Sequence, residues 1–251
     1  MRQFILLSCL VLFVLVALAS AVVWLKRVSL LHSFMPTLSP LEMYPLAPTM
    51  PPTVSTAIED LLARHEAFLK EKVPTAFSAL QPGLSDSQID ALEAKYGLKL
   101  TSDLRALYRW HNGTNQNAFI DVFPNHSLVS LEVALLNRER IRSQVRQQTP
   151  ELQKVHADFA GHRDAWVEVI VDPAGDGHFY DPGRAEPDGS FFYCFAEDGN
   201  YFFYPAFRNY LAAIVECEER GLITANAQGV TVTDYSEAQS IRERFGAAPR
   251  R

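Results

Sequence analysis

Cysteine is scarce in this chain: of 251 residues only Cys9, Cys194 and Cys217 carry a thiol. Cys9 falls inside an apolar amino-terminal run, Cys194 on an expected strand and Cys217 on an expected helix, so two buried thiols are the reading for the rest of the chain, not a bridge. Basic charge is also in short supply. Lys and Arg number 23 against 29 Asp and Glu, for a net charge of −6, and residues 28–251 alone hold 20 basic and 29 acidic residues. An electrostatic footprint of that sign is a poor match for nucleic acid; it is either a solvated acidic surface, the commoner case, or one suited to a basic protein. No internal repeat is evident, and no Ser or Cys nucleophile stands in a recognisable partner motif.

The most informative stretch runs from Gly83 to Gly113. Ser85 followed three residues later by Gln88 is a capping box, in which each side chain satisfies a backbone N–H orphaned at a helix start. Leu84 and Ile89 occupy the flanking positions of a hydrophobic staple, and Ile89, Leu92 and Tyr96 continue the apolar face. Gly97 is the expected stop, because the residue after a helix often takes a left-handed conformation. Thr101 caps a second helix whose Leu104, Leu107 and Tyr108 share a face, before Trp110-His111-Asn112-Gly113 turns the chain. No nucleophile, phosphate loop or metal-ligand spacing occurs within it.

The amino terminus is a second clear signal. Residues 4–25 form 22 consecutive uncharged, mainly apolar positions, enough to cross a hydrocarbon core of about 30 Å. Ala19-Ser20-Ala21 has the form of a signal-peptidase site, but the run continues to Leu25 and closes at Lys26-Arg27, so residues 1–27 are expected to be an uncleaved single-pass membrane anchor. Arg2 on one side and Lys26-Arg27 on the other leave its orientation open. Six of the 15 prolines lie between Met35 and Pro52, which makes residues 28–54 a semi-rigid linker.

A folded domain is expected over residues 55–223. Ile58, Leu61, Leu62, His65, Phe68 and Leu69 recur at helical spacing, with His65 as a packed residue at the core edge. A short strand is expected at 119–123, and Ser130 is placed as the cap of a helix rich in arginine on its later turns. In the second half, 166–171, 178–180, 191–195 and 201–204 are short aromatic or β-branched runs separated by Asp-Pro, Gly-Asp-Gly and Asp-Gly-Asn turns, which predicts a small antiparallel sheet. Phe207, Tyr210, Leu211, Ile214 and Val215 mark a closing helix ending at Gly221. Residues 224–251 read as a tail with an extended piece at 230–232 and a polar helix at 236–245. The fold class is therefore α+β.

Set in order, Gly83-Leu84-Ser85 through Trp110-His111-Asn112-Gly113, the Asp172 and Gly175-Asp176 turn followed by Tyr180-Asp181, and Phe207-x-x-Tyr210-Leu211 resemble the SUKH superfamily, which includes fungal cell-wall assembly regulators and many bacterial immunity proteins. The resemblance covers about residues 57–223. It implies a binding module without catalytic activity, for which no cofactor or small-molecule substrate is expected, whose partner is a protein such as a toxin; the chain's acidic balance favours a basic one. The expected contact surface is a groove between the Trp110, His111, Asn112 turn and the hairpin bearing Asp172, Asp176 and Asp181.

Two other readings remain, the first from the residues themselves and the second from the scaffolding role of fungal relatives that the resemblance implies. Asp172, Asp176, His178 and Asp181 within ten positions suit a metal-dependent hydrolase, although Asp and Gly are also what hairpin turns use. A cell-envelope scaffold is the remaining alternative.

Overall fold

The computed structural model describes residues 49–115, 120–147, 166–172, 176–184, 186, 189–194 and 201–247. Helix α1 (Ile58–Lys72) leads into the short α2 (Pro74–Ala79), which starts on a proline, and then into strand β1 (Leu80–Pro82). Ile58, Leu61, Leu62, His65 and Leu69 are the buried side of α1, the face that helical spacing predicts.

Helix α3 (Asp86–Tyr96) opens on the expected capping box: the Ser85 amide donates to Gln88 Oε1 at 2.8 Å and the Gln88 amide to Ser85 Oγ at 3.3 Å. Leu84 and Ile89 are both buried beside it, and Gly97 closes the helix in the left-handed region at φ 62°. In α4 (Ser102–Trp110) the Thr101 hydroxyl accepts from the Leu104 amide. The chain then enters β2 (His111–Thr114), antiparallel to β1.

After β3 (Ser127–Leu128) and α5 (Leu131–Arg146), strands β4 (Val167–Val171), β5 (Gly177–Tyr180), β6 (Phe191–Cys194) and β7 (Tyr201–Tyr204) complete a five-stranded antiparallel meander in the order β3-β4-β5-β6-β7. Its registers place Phe179, Phe192 and Phe203 side by side on one face, where Trp166 joins them. Tyr180, Phe191 and Tyr204 align on the other, against the main core. This is the period-two alternation of a sheet that buries aromatic rings on both sides. A bulge interrupts the β4–β5 register between Glu168 and Ile170.

Helix α6 (Phe207–Glu219) crosses the inner face and contributes Phe207, Tyr210, Leu211, Ile214 and Val215 to the core. Its N-terminus is held by the fully buried Asp103, which accepts from the Arg208 amide at 3.0 Å and is forked by the Arg208 guanidinium. The tail is part of the same core. Strands β8 (Ile223–Asn226) and β9 (Gly229–Val232) form a hairpin, and α7 (Tyr235–Phe245) packs on α6, burying Val230, Ala238 and Ile241.

Three expectations change. Of the strand placed at 119–123, the described residues 120–123 form only isolated bridges, Asp121 to Gly229 and Phe123 to His126. Strand β8 pairs with the expected 230–232 segment and was not anticipated. The single-pass membrane placement is corrected: among the described residues no helix is long and apolar enough to cross a membrane. The longest of them, α5, has 16 residues and carries Glu132, Arg138, Glu139, Arg140, Arg142 and Arg146, whereas a crossing takes about 20 mainly apolar residues. Residues 4–25, on which that expectation rested, lie outside the described residues, as does most of the linker.

Candidate functional site

The turn after α4 is built as a set of satisfied polar groups. Trp110 ends the helix, and its indole N–H donates to Glu66 Oε2 at 2.5 Å. The Lys70 ammonium, followed by this indole, holds the Glu66 carboxyl below its usual range despite partial burial. His111 Nδ1 lies 2.7 Å from the Gln81 carbonyl oxygen and so must donate to it, while its ring stands edge-on to Trp110 at 4.5 Å between centroids. Asn112 is 9% exposed. Its Oδ1 accepts from the Leu131 amide at 2.9 Å and its Nδ2 donates to Glu132 Oε2 at 2.8 Å, so Asn112 supplies the acceptor at the start of α5 for which Ser130 was expected. Gly113 makes this approach possible: its φ is 86°, and a Cβ there would lie 2.6 Å from the Ser130 nitrogen.

The three aspartates do not converge. Asp172 and Asp176 close the turn between β4 and β5: the Asp176 amide donates to Asp172 Oδ1 at 3.0 Å, and the Asp172 amide to the Asp176 carbonyl at 2.9 Å. Asp181 follows the opposite end of β5, where its Oδ1 accepts from the Gly183 amide at 2.8 Å. It adjoins a cleft of about 760 Å³ lined by Glu93, Lys99, Arg138 and Tyr180. Burial works against ionisation of Glu93, but the Lys99 ammonium, the Leu100 amide and Arg105 together hold its carboxyl below the usual range. Among the described residues no group of three or more His, Cys, Asp or Glu is arranged to hold a metal ion. The hydrogen bonds of Asp172 and Asp181 are those of Asx-type turns.

Trp110, His111 and Asn112 belong to the two-stranded β1–β2 sheet and its junctions with α4 and α5, and the aspartates to the two ends of a strand in the five-stranded sheet. The six positions read from the sequence are thus distributed over two sheets.

Sequence reasoning missed a cavity of about 390 Å³ between the β5–β6 strands, α6 and α7, lined among others by His126, His178, Tyr193, Tyr210, Cys217 and Arg242. His178 is 4% exposed, and neither ring nitrogen has a hydrogen-bond partner among the described residues. Burial, helped by His126 and Arg242, pushes its pKa well below the usual histidine value, so the ring is neutral. His126 Nδ1 donates to the Pro124 carbonyl at 2.6 Å, which leaves Nε2 as a buried acceptor without a partner among the described residues. The Arg242 guanidinium lies over the rings of Tyr193 (5.4 Å) and Phe202 (5.1 Å), and its Nε donates to the Tyr204 hydroxyl at 3.2 Å. Burial raises the Cys217 thiol to about 11, so it stays protonated. In the sequence Tyr210 and Cys217 read as core residues, and only His178 is weighed as a functional group, as a neighbour of the turn aspartates. Arg242 and His126 lie 116 positions apart, and no local pattern links them.

The model of the SMI1 / KNR4 family (SUKH-1) matches residues 83–213. No curated protein matches the chain.

Proposed function

The chain belongs to the SMI1 / KNR4 family (SUKH-1), in agreement with the resemblance read from its motifs, and on that premise we propose that it is a non-catalytic binding module with an immunity or regulatory role, exerted by binding a protein partner. Family membership is the observation that carries this reading. It supports protein–protein interaction in general; the partner's character is inferred from charge. With 29 acidic against 23 basic residues, a basic protein such as a toxin is the partner that electrostatics favours, because complementary potentials steer encounter.

The contact surface we assign to this role comprises the half-buried Trp110 and His111, backed by Asn112, together with the turns of Asp172, Asp176 and Asp181. Trp110, His111 and Asn112 are held by hydrogen bonds to Glu66, Gln81 and Leu131 on neighbouring elements, and Asp172 and Asp181 by hydrogen bonds within their turns, which supports a surface pre-organised for binding. The hydrolase alternative draws no support from the aspartates, which lie at both ends of β5.

Affinity capture with the full-length chain at low ionic strength, followed by the same capture in high salt, tests the proposal. The expected result is a stoichiometric basic protein whose association rate falls by ten-fold or more as salt is raised, on the order of the steering effect. Retention of no protein partner under either condition overturns it.

A further inference from the structure

The cavity beside α7 is lined mainly by apolar surface, and the few polar groups set into it are ones that neither folding nor the proposed partner surface explains. Burying a neutral imidazole without hydrogen bonds costs stability, and here two histidines expose three such nitrogens between them. Arg242 adds a cation. It is drawn from water onto the faces of Tyr193 and Phe202, uses one N–H on the Tyr204 hydroxyl, and forms no ion pair with any described residue. An arginine remains charged in any protein environment, and here the protein's compensation comes from the aromatic rings and the surrounding dipoles. Asp176 accepts from the Tyr193 hydroxyl at 3.4 Å.

The shape is also built. At about 390 Å³ the cavity lies in the range of small-ligand sites and has room for about a dozen waters at ~30 Å³ each, or for a molecule of that many non-hydrogen atoms. One rim is held rigidly. Asn125 sits in the left-handed region at φ 59°, its amide donates to the Val230 carbonyl at 2.8 Å, and its Oδ1 accepts from the Thr231 hydroxyl at 2.8 Å. A non-glycine residue held in that region is a strained feature that its surroundings over-determine.

We propose that this cavity binds a small aromatic carboxylate carrying a hydroxyl or amino group. The carboxylate accepts from the Arg242 guanidinium and from the N–H of neutral His178, the ring lies against Tyr193 and Tyr210, and the ligand's own donor reaches His126 Nε2. The guanidinium and one ring nitrogen of each histidine then have a complement of the right sign. A neutral ligand would leave the guanidinium uncompensated, and a cation would meet it head on.

The test is calorimetric titration of the full-length chain with 4-hydroxyphenylacetate and, in parallel, its neutral isostere 4-hydroxyphenylacetamide. The acid is expected to bind saturably with one site per chain, and the amide about ten-fold or more weakly, the worth of one charge-assisted contact. Arg242→Gln should bring the acid down to the amide's affinity. Because Arg242 also supports Tyr204, Gln239→Trp serves as a second variant: it adds bulk at a position that lines the cavity from α7 and should abolish binding while the unfolding midpoint stays unchanged. Equal affinity for acid and amide overturns the charge assignment. Absence of binding up to millimolar concentration, or binding that survives Gln239→Trp, overturns the site.

Discussion

The turn at Trp110–Gly113 and the cavity around His178 are both polar, both packed against aromatic rings, and of opposite design. In the turn the described polar groups answer one another: Asn112 serves Leu131 and Glu132, His111 serves Gln81, and Trp110 serves Glu66. In the cavity, three ring nitrogens and a guanidinium face each other without a matching set of donors and acceptors among the described residues. The first arrangement gains stability from its polarity, and the second loses some. Residues spent on holding a fold and residues kept available for a ligand are thereby separated by their hydrogen bonds, where burial alone treats Asn112 and His178 alike.

This contrast can be broken by substitution. The largest effect is expected for Gly113→Ala, which combines a left-handed backbone with a clash against the Ser130 backbone and should cost about 2–5 kcal/mol, read as a lower midpoint in denaturant unfolding. Asn112→Ala removes two bonds and orphans the buried Leu131 amide. A loss of about 2–3 kcal/mol should follow, lowering Tm by roughly 4–12 °C. His178→Phe should be neutral or stabilising by up to about 1 kcal/mol, since it removes buried polar atoms that have no partner among the described residues. If His178→Phe costs as much as Asn112→Ala, the two regions are not of different design.

Acid sharpens the comparison. Burial depresses the pKa of His178 and of His126, so the unfolded chain takes up protons near 6.5 that the folded chain refuses. Their contribution is complete above about 6.5 and is lost as pH falls, at up to about 1.4 kcal/mol per pH unit for each ring. In a series of unfolding curves between pH 7 and 5, His178→Phe should flatten this acid limb; an unchanged slope would count against the neutral buried ring. Asp121 works the other way. Burial, with Asp172 nearby, lifts its carboxyl to about 6, so the stability it contributes is present below its ordinary value of 3.8 and is lost as pH rises through about 6. Asp121→Asn should therefore stabilise the protein at pH 7, by about 1 kcal/mol once its partial exposure is allowed for.

The elements that could be read from the sequence are those whose determinants lie within four residues of each other. Ser85 and Gln88, Thr101 and Leu104, the α1 face and the aromatic strands are of this kind. Strand β8 escaped because its signal is a side chain, not a hydrophobic alternation: Asn226 Oδ1 accepts from the Gln228 and Gly229 amides and makes the turn itself. Asp103 with Arg208, and Asn112 with Leu131, are invisible locally because each joins distant elements. His65 illustrates the limit. Its apolar-face spacing marked it as packed, and it is, but its partner Glu218, 2.6 Å from its Nδ1, lies 153 positions along the chain. For the candidate site the turn aspartates were legible as turn residues, but their placement relative to Trp110 was not, since only tertiary structure distributes the six positions between two sheets.

One side chain in the closing helix has a practical meaning for protein engineering. Asn209 donates through Nδ2 to the carbonyls of both Pro52 and Phe245, and its Oδ1 accepts from the Val54 amide. Pro52 and Phe245, near the two ends of the described chain from residue 49 to residue 247, are therefore no farther apart than two hydrogen bonds. A circular permutant that joins them through a short loop, and reopens the chain at an exposed turn elsewhere, would keep every element of the domain while moving its ends to a face of choice.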